Sequence, residues 1–293
     1  QFFYSQFSGR DNLFANIGGD GFPGIDFGWD WGNGTQNITW KFIPNSNYFL
    51  KTRLSKTTYK FNVDFTIDFN PDVADTTETI NLDSGESVDL SLYLDNLVED
   101  SDFNQELKYI VNESLNFDFG WQLKNLSLKY TETFAGQQVT NIKSTPKIFS
   151  SFININWSPN PLLKTVSGFR ISKFNGYNKS LINPKFSLKY NPISDLAIKA
   201  SIGKYSQFLY TINQEDELLR IVDFWQPIPE GKKPQEADHI ILGIEYWINN
   251  GNTISFEVYH KNYSTIYDLN PKFDATDIES SLAIAGTCLL YTS

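Results

Sequence analysis

Between Tyr59 and Phe69 apolar and polar side chains alternate without a break: Tyr59, Phe61, Val63, Phe65, Ile67 and Phe69 against Lys60, Asn62, Asp64, Thr66 and Asp68. A period of two is that of a β-strand with one oily and one wet face. The same rhythm predicts strands over residues 1–8, 35–43, 48–69, 103–111, 115–130, 147–157, 162–173, 183–190, 195–208, 238–248 and 253–266, about eleven in all. Residues 88–100 stay ambiguous, because Leu90, Leu92 and Leu94 alternate while Asp95 to Asp102 is too acidic for a membrane. Residues 9–34, rich in glycine, read as a loop.

The connections fall into two kinds. Asn112-Glu113-Ser114, Ser158-Pro159-Asn160-Pro161, Asn191-Pro192-Ile193-Ser194 and Asn249-Asn250-Gly251-Asn252 are short turns, rich in residues that supply turn dihedrals or hydrogen-bond their own backbone. The alternate connections, over residues 131–146, 174–182, 209–237 and beyond 267, are mostly longer. Short turns on one rim and long loops on the other describe an all-β, antiparallel transmembrane β-barrel. Lipid cannot hydrogen-bond a free sheet edge, so spanning strands close on one another. Ile240, Leu242, Ile244, Tyr246 and Ile248 then face lipid, and Gly243 and Glu245 a watery lumen. The strand over 48–69 exceeds the roughly 9–11 residues that cross a bilayer and is expected to project above it. A soluble sandwich also alternates, but its strands average about 5–6 residues.

Composition fits this picture. The mean hydropathy of −0.34 looks soluble, as it does when lumen-facing positions cancel lipid-facing ones. Aromatic residues make up 16% of the chain, the excess that interfacial girdles require. No run of about 18 apolar residues exists, which excludes a transmembrane helix. A net charge of −10 with no basic stripe argues against nucleic acid. His239 and His260 stand alone without metal-ligand spacing, and no nucleophile elbow, phosphate loop or Cys/His pair is present. Neither an enzyme, a metal nor a cofactor is expected. Acidic clusters such as Glu215-Asp216-Glu217 read as solvated loop faces. The chain has no Met and no leader, and it reads as beginning in mid-structure. Its last six residues, Cys288 to Ser293, resemble the translated adaptor of a sequencing library from a metagenomic read. The expected organisation is therefore a partial barrel over 1–287 followed by an artefact over 288–293. Without Cys288 the text is free of cysteine, which suits passage through an oxidising periplasm.

Asn183-Pro184-Lys185-Phe186-Ser187-Leu188-Lys189-Tyr190 is followed by Leu196 to Phe208, with Lys199, Ser201, Gly203, Tyr205 and Gln207 at alternate places. Later come Ala237-Asp238-His239, Gly243-Ile244-Glu245-Tyr246 and Phe256-Glu257-Val258-Tyr259-His260-Lys261-Asn262-Tyr263. Earlier stand Trp31-Gly32-Asn33, Ile38-Thr39-Trp40 and Ser55-Lys56-Thr57-Thr58-Tyr59. In this order and spacing, over most of residues 26–270, the text resembles the barrel of TonB-dependent outer-membrane receptors. That resemblance implies roughly half of a 22-stranded barrel whose plug and TonB-contact segment are not in this text. It further implies a Gram-negative outer membrane, contact with lipid and lipopolysaccharide, and a TonB complex reached through the plug. The cargo is a scarce siderophore, cobalamin-like molecule or glycan. Ligand contact in such receptors lies in extracellular loops and upper lumen, which singles out Phe27, Trp29 and Trp31 in the glycine-rich loop and Phe224, Trp225 and Gln226 in the longest one. Flat aromatic faces there suit a sugar, porphyrin-like ring or catechol; alternatively they pack their own loop. A passive porin and a secreted carbohydrate-binding or adhesion protein are the alternative functions.

Overall fold

The computed structural model describes residues 1–19, 22–68, 89–212, 224–249 and 251–267. Among them the elements are β1 Phe2–Gly19, β2 Phe22–Asn45, β3 Tyr48–Asp68, β4 Asp89–Asn112, β5 Leu115–Phe134, β6 Gln137–Ser144 and β7 Lys147–Asn160. They continue with β8 Leu163–Phe174, β9 Ser180–Ile193, β10 Leu196–Gln207, β11 Leu209–Ile212, β12 Phe224–Pro227, β13 Gln235–Asn249 and β14 Asn252–Thr265. One antiparallel sheet runs β1-β2-β3-β4-β5-β7-β8-β9-β10-β13-β14, with β6 beside β5, and β11 pairs β12 in a separate ribbon. The path therefore holds eleven strands, as the alternation predicts.

Two-residue turns join β2 to β3, β4 to β5, β7 to β8, β9 to β10 and β13 to β14, all on one rim. Three of them open with an asparagine whose side chain accepts a backbone N–H. Asn45 Oδ1 takes it from Asn47 at 2.9 Å, Asn112 from Ser114 at 2.9 Å and Asn160 from Leu162 at 3.0 Å. This local bond fixes the turn, and the turn fixes the register.

Register then assigns the faces. Ile38, Leu54, Phe103, Leu123 and Phe149 stand in one row across five strands, and Tyr190, Ile198, Ile244 and Phe256 in another. Most of these side chains are exposed, Leu242 beside them by 57%. A face of large exposed hydrophobics, uninterrupted by charge from β4 Phe103 to β8 Ile171, is what a lipid-facing wall requires. On β3 it spans Tyr48 to Leu54, with Lys56 next on that face. At about 3.3 Å per residue this is about 20 Å of strand, the greater part of the roughly 25 Å apolar band of an outer-membrane barrel.

Above Lys56 the faces exchange roles. Phe61 and Val63, each 3% exposed, point to the side opposite Leu54 and pack with Trp29 and Leu94. The outward side now carries Lys56, Lys60 and Asp64, and ion pairs such as Lys56–Glu99 at 2.8 Å and Arg10–Asp30 at 2.6 Å. Here a correction is needed. The alternation over 59–68 reads as a membrane signature, but its oily side is the inner, dry face of a sheet already above the bilayer. Water bathes the outer face there, so apolar groups move inside. Phe69 lies outside the described residues.

A second correction concerns residues 9–34. They are strand almost throughout, forming the long β1–β2 hairpin. Gly28, Gly32 and Gly34 alternate with Phe27, Trp29, Trp31 and Asn33, so the glycines occupy the outer face while the aromatics face inward. Gly28 makes room for the Phe14 ring of the neighbouring strand, 3.3 Å from where a Cβ would stand. The predicted loop over 131–146 likewise contains β6, which continues β7 upward along β5 across Pro146. Proline has no N–H to give the ladder, yet its carbonyl still accepts from Leu126 N at 2.9 Å.

Gly120 allows the Phe152 ring to lie against β5. A Cβ there would collide with that ring and stand 2.9 Å from the Gln105 carbonyl oxygen, which the ladder holds in place. Gly120→Ala is expected to cost about 1–3 kcal/mol, the usual overpacking range, in urea unfolding in detergent.

Candidate functional site

The inner wall is built from the positions between the lipid-facing ones. One row across neighbouring strands reads Lys41, Lys51, Glu106, Gly120, Phe152, Arg170 and Asn183. The next row reads Phe49, Lys108, Asp118, Asn154, Gly168, Lys185 and Gly203. All of them but the three glycines line a cavity of about 870 Å³. Its polar groups are knitted together across strands. Lys51 reaches Glu106 at 3.5 Å, Arg170 donates to Gln122 Oε1 at 3.2 Å, and Asn156 Nδ2 donates to Asp118 Oδ2 at 2.7 Å. Higher up, Lys124 meets Asp100 at 2.6 Å, and the Ser150 and Ser172 hydroxyls share a buried bond of 2.8 Å. A wall this polar behind an apolar belt faces a wet lumen.

Above it the inner face turns apolar in two clusters. In the first, Trp29 packs edge-on against Phe27, Trp31 and Phe61 at centroid distances of 5.7–6.0 Å. Trp29 is only 6% exposed and its indole N–H has no partner; Asn96, 0% exposed, lies in register between Phe61 and Tyr130. Burial raises the Tyr130 phenol far above its ordinary pKa, with the nearby Glu132 adding to the shift. In the second cluster Tyr210 and Ile228, from the described parts of the connection between β10 and β13, pack on Leu126, Leu128, Ile148 and Phe174. Tyr267 joins them and donates to the Lys233 carbonyl at 2.5 Å.

The six aromatic and amide positions singled out from sequence are thus divided between places. Phe27, Trp29 and Trp31 sit on strand β2, not in a loop, and Trp29 is a core residue of the projecting sheet. Phe224, Trp225 and Gln226 sit on β12, paired with β11; Gln226 is buried and Trp225 half-buried. The two groups belong to neighbouring parts of the inner face: β5 supplies Leu128 to one cluster and Tyr130 to the other. Sequence reasoning missed the inner-wall cations. Their only signal is the odd-even position within each strand, and the rows appear once register is known.

The outer face of the β1–β2 hairpin gives a pH prediction. The Arg10 guanidinium, hydrogen-bonded to Asp30 at 2.6–2.7 Å, holds the Asp30 carboxyl below its usual range. A depressed pKa means the contribution is present above the unfolded value near 4 and is lost as pH falls through the folded one. Hydrogen exchange at Arg10–Ile17 is expected to accelerate modestly below about pH 4, and Asp30→Asn to remove that dependence.

These features define an outer-membrane barrel with a polar lumen. The profile of the family described as TonB dependent receptor-like, beta-barrel matches residues 1–286, and the chain belongs to that family. Its place is the outer membrane of a Gram-negative bacterium, and the family is one of receptors and transporters, not enzymes. Among solved structures the chain is similar to the RagAB peptide transporter, with 10% identity, a TM-score of 0.56, and coverage of 92% of this chain and 33% of that one. It is similar to the ferric yersiniabactin uptake receptor FyuA of Yersinia pestis, with 10% identity, a TM-score of 0.53, and coverage of 89% and 40%. The siderophore receptor PirA of Pseudomonas aeruginosa aligns with 11% identity and a TM-score of 0.46, covering 93% and 59%. The likeness to RagAB and FyuA is one of fold, and the chain spans about a third to three fifths of the length of the three proteins. Comparison with curated protein sequences finds no match.

Proposed function

We propose that this chain is the barrel portion of a TonB-dependent receptor that imports a scarce ligand, of the siderophore, cobalamin-like or glycan kind, across the outer membrane. The observation that carries the reading is the match to the receptor-barrel family over residues 1–286. The sheet's two outer edges support a larger barrel: β1 pairs only with β2, and β14 only with β13, among the described residues. An unpaired edge in hydrocarbon costs several kcal/mol per exposed group, so further strands close the wall, in keeping with a barrel of about 22. Energy reaches the ligand through a plug and the TonB complex. The outer face meets lipid and lipopolysaccharide. Phe27, Trp29, Trp31, Phe224, Trp225 and Gln226 remain the proposed ligand-facing set of the upper lumen, with Trp29 and Gln226, each 6% exposed, acting by holding their neighbours in place.

The test is uptake of labelled siderophore, cobalamin and oligosaccharide by cells carrying the intact gene, with and without a protonophore. Accumulation against a gradient that stops when the proton-motive force collapses is expected. Uptake that persists without the force would make the protein a passive porin.

A further inference from the structure

A hollow of about 340 Å³ opens in the outer face of the sheet where the apolar belt ends. Its lower side is one row across five strands: Tyr4, Ile38, Leu54, Phe103 and Leu123. Gln36, Lys56 and Ser101, from the row above, form its upper rim. Asp102 also lines it, but this carboxylate belongs to the inner face and lies 3.8 Å from Arg53. Gln6 stands beside Gln36, and the Tyr4 hydroxyl donates to its Oε1 at 2.7 Å, which leaves the Gln6 amide group to donate elsewhere. The next two rows upward are Ser8, Gly34 and Thr58, then Arg10, Gly32 and Lys60. No described atom lies within 4 Å of where a Gly34 Cβ would stand, and Gly34 sits inside a regular strand, so the protein's own packing does not call for glycine there. A glycine inside a strand often marks a place where something else approaches closely. Asp30 and Glu99, which border these rows, are already engaged, by Arg10 at 2.6 Å and by Lys56 at 2.8 Å. Lys60, exposed between Gly32 and Leu97, has no carboxylate within ion-pair reach among the described residues.

We propose that this outer face of β1–β5 is a binding site for one phosphorylated sugar lipid of the outer leaflet. An acyl chain fills the hollow, the sugar lies over Gly34, and its phosphate meets Lys60. The chemistry along the strands runs in the order of such a lipid. Apolar surface at the bottom takes the chain by burial of area. The Gln6 and Gln36 carboxamides and the Ser8 and Thr58 hydroxyls supply the donors and acceptors that sugar hydroxyls need. Lys60 stands four residues beyond Lys56, about 13 Å of strand, and offers an unneutralised ammonium to a phosphate oxygen. The inference rests on the reading that the outer face meets lipopolysaccharide and deepens it, since it names the residues and the group that each takes.

The experiment is native mass spectrometry of the intact receptor in detergent, titrated with bisphosphorylated lipid A, with its dephosphorylated form and with phosphatidylglycerol. Lipid A is expected to bind as a single molecule and more tightly than either of the others. Lys60→Gln is expected to weaken lipid A roughly three- to tenfold, less so as salt rises, and to bind the dephosphorylated form as the parent does. Gly34→Leu, which changes no charge and fills the open space, should weaken lipid A by a similar factor. Lys261→Gln, on β14 at the other edge of the sheet, should leave it unchanged. Thermal unfolding guards against misfolded variants: without lipid, Lys60→Gln and Gly34→Leu should both keep the parent's melting temperature. Failure of the parent to bind lipid A, equal binding of phosphatidylglycerol, or an affinity unaltered in Lys60→Gln or in Gly34→Leu overturns the proposal. Energised uptake is measured separately, so the lipid site can fail while the receptor reading stands, and the reverse.

Discussion

Leu242→Arg is expected to destabilise the barrel by about 2–4 kcal/mol, measured by urea unfolding in lipid vesicles. Leu242 projects from the lipid-facing side of β13, in register with Ala200 and Val258 on the neighbouring strands, and is 57% exposed. A guanidinium there meets hydrocarbon instead of water, and the cost is that of desolvating it. The adjacent inner-wall position behaves differently, because Glu245 already lives beside Lys199 in the wet lumen. Glu245→Gln should change stability by less than about 1 kcal/mol, the range of a partly exposed ion pair. Equal costs at the two positions would mean that both faces see water. A soluble sheet would then be the better description.

Phe61→Ala is expected to cost about 3–5 kcal/mol, the usual price of emptying a buried aromatic site. Phe61 is 3% exposed, with Trp29 edge-on at 5.9 Å and Val63 and Leu94 in the same cluster. The loss should be local to the projecting part of β2–β5, appearing as faster proteolysis there while the membrane-embedded wall stays resistant. Phe256→Ala makes the contrast: this ring, 66% exposed on the lipid side, is replaced by lipid and should cost much less. Similar costs for the two rings would remove the distinction between the dry interior above the membrane and the lipid face within it.

Much of the fold was legible because turns and alternation are local. Asn112, Asn160 and Asn249 mark the short rim in the text, and in the structure the first two bond their own turn backbones. The lipid side of Ile240 to Ile248 is readable for the same reason. What escaped depends on surroundings that alternation alone does not encode. Tyr59 to Ile67 alternates just as a membrane strand does, and only its position above Lys56 makes the oily side the inner one. Glycines at 28, 32 and 34 suggest a loop in sequence, although each occupies the outer side of a regular strand. Phe27 and Trp31 were recognisable as aromatics worth attention; that Trp29 between them is buried needs the neighbouring Phe61 and Leu94. Lys164, Lys189 and Lys199 are far apart in the chain and become one row only through two successive hairpin registers.

The most direct measurement is a cysteine scan along β3 in the outer membrane, in a parent protein free of other cysteines, with labelling by a membrane-impermeant maleimide. Below Thr57, cysteines at Lys51 and Arg53 should label while those at Leu50, Thr52 and Leu54 are protected by lipid. Above it the pattern should invert, with Lys60, Asn62 and Asp64 labelled and Phe61 and Val63 protected by the core. One unbroken odd-even phase along the whole strand would contradict a sheet that leaves the bilayer near Lys56.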